Sequence, residues 1–268
     1  AKLEPLLRPG TPVVLCAKGI ELSTGCLMSE AAEASLPASP VGILSGPTFA
    51  AEVSKGLPTA VTLAIRDRDL GARIVETLGS RSFRPYLSDD VMGAQVGGAV
   101  KNVLAIACGI ILGRRLGDNA RAALITRGLA EISRLGLALG ARPETLMGLS
   151  GLGDLTLTCT SLQSRNTSLG TALGEGRTLA EVMGERHSVA EGVHTAAALG
   201  ELAGRHGREG RVLPVGPEQP GVVGPAGAQP AHRVDGAHRL GVGRAGADDA
   251  EPGVAHPLLG RGEHRLDD

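Results

Sequence analysis

From residue 196 to residue 268 the chain uses ten amino-acid types and no others: Ala, Val, Gly, Asp, Glu, Leu, Pro, His, Gln and Arg. Such a stretch lacks Ile, Phe, Tyr, Trp and Met and is dense in Gly and Pro, so it cannot bury enough apolar surface to offset the entropy of ordering it. The packed part of the molecule must therefore come from the first two hundred residues. All ten types can be encoded by codons that begin with G or C, which is what a one-base slip in a GC-rich gene produces. The expectation is a reading-frame change within residues 204–210 and a disordered, out-of-frame tail over residues 205–268. Five of the seven histidines lie there (His206, His232, His238, His256, His264). They are not read as ligands or bases, and no metal is expected.

The remaining length still suffices for two domains with a proper core. A formal net charge of −1, one Tyr, two Phe and no Trp leave neither a field nor stacking surfaces for nucleic acid. The four cysteines, Cys16, Cys26, Cys108 and Cys159, form no CxxC pair and suit a reducing cytoplasm. Residues 1–9 mix charges with leucines and lack the pattern of a secretory signal. The apolar stretch 96–112 is interrupted by Lys101 and Asn102 and reads as a buried core helix, so no membrane anchor is expected.

Short apolar runs at 13–16, 41–44, 59–64 and 83–87 alternate with helical patterns at 28–34 and 70–78. This alternation predicts an α/β layer built on a parallel sheet, a partial Rossmann-type arrangement over residues 1–88. Beyond Asp89 the pattern is helical at 91–113, 119–136 (with Asn119 as its cap), 142–147 and 179–185. An all-α substrate and catalytic domain is predicted over residues 89–204.

Three clusters could carry chemistry. Lys101 lies on an apolar helix after the small residues Gly97, Gly98 and Ala99. Burial lowers a lysine's pKa and lets it trade protons near neutrality, whereas a snorkelling lysine would stay solvated. Ser45, Gly46, Pro47 and Thr48 follow a predicted strand, where α/β sheets bind ligands, although a plain turn uses similar residues. Gly151, Gly153 and Asp154, then Thr158, then Ser164, Arg165 and Asn166, gather a carboxylate, hydroxyls, a guanidinium and an amide suited to a phosphorylated ligand. Taken singly, Asp154 could be a helix cap and Arg165 a surface charge. No GxGxxG motif follows a predicted strand.

These motifs, in order, with Ala17, Lys18 and Gly19, Asn119 through Gly128, and Val189 to Gly192, resemble the bacterial NAD(P)-dependent glycerol-3-phosphate dehydrogenases from about residue 6 to 207. The resemblance implies reduction of dihydroxyacetone phosphate to sn-glycerol 3-phosphate for phospholipid synthesis, with NADH or NADPH as cofactor, in the cytoplasm and as a homodimer. It implies that Lys101 exchanges the proton; that Lys18, Gly46, Thr48, Asp154, Ser164, Arg165 and Asn166 bind substrate; and that Lys18, Ala50, Arg165, Val189 and Glu191 meet the cofactor. Relatives of this kind begin with a glycine-rich dinucleotide turn and end in further helices. Without these the chain is expected to bind cofactor poorly, to be aggregation-prone and to turn over little. The alternative is a noncatalytic remnant that binds a phosphorylated metabolite or an intact relative.

Overall fold

A computed structural model describes residues 3–185 and 191–205. The tail from 206 and the cofactor position Val189 lie outside the described residues. Four strands, β1 (Val13–Leu15), β2 (Val41–Ser45), β3 (Thr59–Ile65) and β4 (Phe83–Ser88), form one sheet in sequence order. Between them run α1 (Met28–Ser35), the short α2 (Ala50–Val53) and α3 (Arg68–Leu78). Strand β3 is buried from Val61 to Ile65 without alternation, as a strand covered on both faces must be.

The expected parallel sheet is in fact mixed: β1 and β2 are parallel, β3 and β4 are parallel, but β2 pairs antiparallel with β3, Ser45 opposite Thr62. The connecting helices explain the difference. A parallel pair needs a crossover that carries the chain back along the strand. Helices α1 and α3, of 8 and 11 residues, do so, whereas the 4-residue α2 rises only about 6 Å. The chain from β2 therefore turns and comes back beside it.

The remaining elements are helical: α4 (Val91–Gly113), α5 (Gly117–Ala138), α6 (Pro143–Leu146), a π-helical turn (Leu149–Gly153), α7 (Asp154–Thr160), α8 (Arg165–Gly174), α9 (Leu179–Gly184) and α10 (Glu191–Arg205). Helix α4 is long and apolar enough to cross a membrane, yet most of its residues are buried inside the protein. It packs on α5, α7, α8, α10 and the sheet. Val96, Val100, Val103 and Cys108 of α4 meet Ile132 and Leu135 of α5, Leu155 and Cys159 of α7, and Leu199 and Leu202 of α10.

Asp90 starts α4. One carboxylate oxygen accepts from Gly93 N at 2.8 Å and the other from Arg142 N at 2.8 Å, tying the start of α4 to the approach of α6. Asp90→Ala leaves two amides without their acceptor and is expected to lower stability by about 2 kcal/mol, read as a lower urea midpoint at unchanged slope. Asn119 is not the cap of α5. The helix begins at Gly117 after a left-handed turn with Arg115 at φ 56° and Gly117 at φ 86°, so Asn119 is already inside it.

Helices α4 and α8 touch through glycines. A methyl group on Gly109 or Gly113 of α4 would overlap the carbonyl oxygens of Thr167 and Thr171, and one on Gly170 of α8 would overlap that of Ile106. Backbone lies against backbone along this seam, and the seam fixes where the first turn of α8 stands relative to Lys101.

Candidate active site

Lys18 follows β1 and Gly46 follows β2, so both stand at the carboxyl ends of adjacent parallel strands, the edge at which α/β sheets bind ligands. Gly46 has φ 153°, and a Cβ there would meet Val61 Cα at 3.0 Å; the position accepts no side chain. Its carbonyl accepts from Lys18 Nζ at 3.2 Å and from Thr48 Oγ1 at 3.1 Å.

Lys101 projects from the middle of α4 and is 6% exposed. Its Nζ donates to Asp154 Oδ1 at 2.5 Å and to Thr158 Oγ1 at 2.9 Å. The other Asp154 oxygen, Oδ2, accepts from Lys18 Nζ at 2.6 Å. Asp154 is wholly buried. It opens α7 but does not cap it; its carboxylate is taken up by the two lysines. Thr158, one turn on, donates to the Asp154 carbonyl at 2.6 Å, which aims its oxygen at Lys101.

Two ammonium groups on one carboxylate leave one positive charge uncompensated in a buried place, and an anionic ligand relieves it. Burial pulls the Lys101 pKa down from 10.5 to about 8, against the attraction of Asp154 and helped by the charge of Lys18. Local sequence makes this possible. Gly151 lies so close to the Leu146 carbonyl that only glycine fits, and a Cβ on Gly97 would meet Ser150 O at 2.5 Å. The π-helical turn can thus press against α4 and deliver Asp154 opposite Lys101; such turns recur at functional sites.

Beside Lys18 a cavity of about 420 Å³ is lined by Cys16, Ser45, Thr48, Ala50 and Val61, among others. A second cavity, of about 470 Å³, opens between β4 and α6. It lies away from the lysines, and its guanidinium, Arg142, is bound to Asp89.

Residues 1–71 match the family model described as NAD-dependent glycerol-3-phosphate dehydrogenase N-terminus, and residues 90–215 match the corresponding C-terminus. The chain belongs to the NAD-dependent glycerol-3-phosphate dehydrogenase family. It is 67% identical over 201 residues to the glycerol-3-phosphate dehydrogenase (NAD(P)+) of Rhodospirillum rubrum, covering 75% of this chain and 58% of that protein. With the Parvibaculum lavamentivorans protein of the same name it shares 61% over 208 residues, 78% of this chain and 62% of the relative. The crystal structure of glycerol-3-phosphate dehydrogenase from Coxiella burnetii superposes with a TM-score of 0.75 at 43% identity, over 78% of this chain and 64% of that one. The chain spans about three fifths of the length of these curated relatives.

The expected site residues fall into two linked groups. Lys18, Gly46, Thr48, Lys101 and Asp154 form the bonded cluster described above, with Ala50 exposed at the rim of its cavity. Ser164, Arg165 and Asn166 stand at the start of α8, and Asn166 meets α10. Ser164 caps α8 by accepting from Thr167 N at 3.2 Å; Asn166 Oδ1 accepts from Gly192 N at 3.1 Å; Arg165 is exposed. Glu191 accepts from Asn102 Nδ2 at 3.4 Å, one residue from Lys101. The groups are joined where Thr167 Oγ1 donates to the Thr158 carbonyl at 2.5 Å.

Sequence reasoning gave Thr158 no partner and passed over Asn102. The i, i+4 spacing of Asp154 and Thr158 would have placed them on one face had residues 154–160 been read as helix.

Proposed function

We propose that this chain carries the substrate machinery of an NAD(P)-dependent glycerol-3-phosphate dehydrogenase, interconverting dihydroxyacetone phosphate and sn-glycerol 3-phosphate. The observation that carries the reading is the buried Lys18–Asp154–Lys101 cluster, placed where a strand edge meets the central helix.

The cavity beside Lys18, lined also by Ser45, Thr48 and Ala50, is where a nicotinamide would be received. Gly98 of α4 packs so closely behind Lys18 and Ser45 that a Cβ there would meet Ser45 Oγ at 2.9 Å and the Lys18 methylenes at 3.4 Å. Lys18 and Ala50 would hold the nicotinamide end of the cofactor, with Gly46 and Thr48 beside it on the substrate, and Arg165, Val189 and Glu191 would meet the rest of the cofactor. When bound, reduced nicotinamide supplies the hydride to the carbonyl carbon.

Lys101, protonated, donates a hydrogen bond and then its proton to the carbonyl oxygen as charge develops there. Asp154 steadies the ammonium before transfer and orients the amine after it. Lys18 adds positive charge on the same oxygen, and Arg165 and Asn166 hold the phosphate, whose binding energy orients the carbonyl.

With the Lys101 pKa at about 8, reduction needs the ammonium and oxidation needs the amine. The expected result is reduction that declines as pH rises through about 8 and oxidation that increases over the same interval, measured as kcat/KM in both directions. Profiles of the same sign in both directions count against Lys101 as the proton donor.

We further infer a sheet-bearing domain over residues 1–88 and a helical substrate domain over 89–204, a role in phospholipid synthesis, a cytoplasmic setting, and homodimer formation. We infer that the chain by itself is a weak catalyst, because the groups it offers a dinucleotide are concentrated at the nicotinamide end.

The deciding experiment is calorimetric titration of the chain with dihydroxyacetone phosphate, paired with an assay of NADH and NADPH oxidation. Binding with turnover, however slow, supports the enzyme reading. Binding without turnover favours a metabolite-binding remnant, and no binding sinks both.

A further inference from the structure

Among the described residues Ser45 Oγ is a solvent-inaccessible side-chain oxygen with no hydrogen-bond partner in the protein, in a residue 2% exposed. A buried hydroxyl left unpaired costs about 1–3 kcal/mol, so its persistence calls for a reason. Its place suggests one. Ser45 ends β2, immediately before Gly46, whose carbonyl holds Lys18. Its oxygen, the Lys18 methylenes and Gly98 of α4 converge on one point, with Gly98 one helical turn before Lys101. The same residue lines the cavity that Lys18, Thr48 and Ala50 share.

We propose that Ser45 is a ligand-binding hydroxyl held in reserve beneath the Lys18 side chain. When a ligand draws Lys18 from Asp154, the stem that lies beside Ser45 shifts and the hydroxyl donates to an uncharged carbonyl oxygen of the ligand. That oxygen belongs either to the ketone of the substrate or to the carboxamide of the nicotinamide. The proposal rests on the functional reading above and adds a residue to it. It implies a local trade of stability for affinity of the kind seen at binding sites.

The test is Ser45→Ala in the full chain, with two readouts. Thermal unfolding without ligand is expected at an unchanged or higher midpoint, since the substitution removes a polar group that had no partner. Calorimetric titration is then run with dihydroxyacetone phosphate, with reduced nicotinamide mononucleotide, and with inorganic phosphate, which has no carbonyl. Binding of one organic probe is expected to weaken about tenfold, the loss of one hydrogen bond, and the probe affected identifies the source of the oxygen; phosphate binding should not change.

A lower midpoint without ligand overturns the proposal, because the hydroxyl would then have a structural partner. Equal affinity of variant and parent for both organic probes overturns it while leaving the functional reading intact. A parent chain that binds neither probe overturns the functional reading and this inference together.

Discussion

Asp154→Ala is expected to cost about 3–5 kcal/mol of stability at neutral pH and to abolish any turnover. The carboxylate is wholly buried and pairs with two ammonium groups; breaking a buried pair by removing one partner leaves a further uncompensated charge, which is why the loss is of this size. The response has a diagnostic pH dependence. In the parent chain the folded-state pKa of Lys101 is lowered to about 8 from 10.5. Below about 8 the group is charged whether folded or unfolded, and its burial penalty is fully present. Between about 8 and 10.5 the unfolded chain binds more protons, so this group's contribution to stability rises with pH. Without Asp154 the pKa falls further and the lysine goes neutral at lower pH. The deficit of the variant should therefore be larger at pH 6 than at pH 10 in urea melts. A deficit that grows with pH would contradict the charge argument.

Gly170→Ala is expected to destabilise the chain by about 3 kcal/mol, the upper end for an overpacked core. In an exposed helix the same exchange helps, because alanine is the better helix former by about 1 kcal/mol. Gly200 in α10 has nothing near its missing side chain and is exposed, so Gly200→Ala should stabilise by up to about that amount. At Gly170 the new methyl would overlap the Ile106 carbonyl oxygen. Backbone atoms of two long-packed helices cannot swing aside as a side-chain tip can, so α8 must lift from α4. Because α8 begins with Arg165 and Asn166, affinity for dihydroxyacetone phosphate should fall together with stability. Comparing the two glycine variants by thermal melts and titration separates this seam from general helix propensity; equal effects at 170 and 200 would show that the seam does not bear load.

The parts of the fold that were readable in the sequence are those in which burial imposes a simple pattern. Strand β3 and helix α4 appear as mostly apolar runs, that of α4 broken only by Gln95, Lys101 and Asn102, and the alternation of short strands with helices announced an α/β layer before the helices took over. The antiparallel return of β3 was not readable, because it depends on how little distance α2 covers. Helices α7 and α8 were missed for another reason. Residues 154–160 read Asp-Leu-Thr-Leu-Thr-Cys-Thr, an alternating, β-branched run that looks like a strand, and only packing against α4 makes it a helix. At the site, Lys101 and Asp154 could be seen one by one, Lys18 only through the resemblance, and their meeting could not be seen at all. Lys101 and Asp154 are 53 residues apart and Lys18 and Asp154 are 136 apart; periodicity is silent at such separations, and it was the resemblance to a family that joined them.

The π-helical turn from Leu149 to Gly153 adds a constraint of register. Each residue of helix advances the chain by about 100° around the axis, so a segment one residue shorter would turn the following carboxylate a quarter-circle or more away from both lysines. Side chains within the turn can vary where space allows, but its length cannot. Here the chemistry is kept by counting residues, and an insertion or deletion that spares every charged group would still disconnect them.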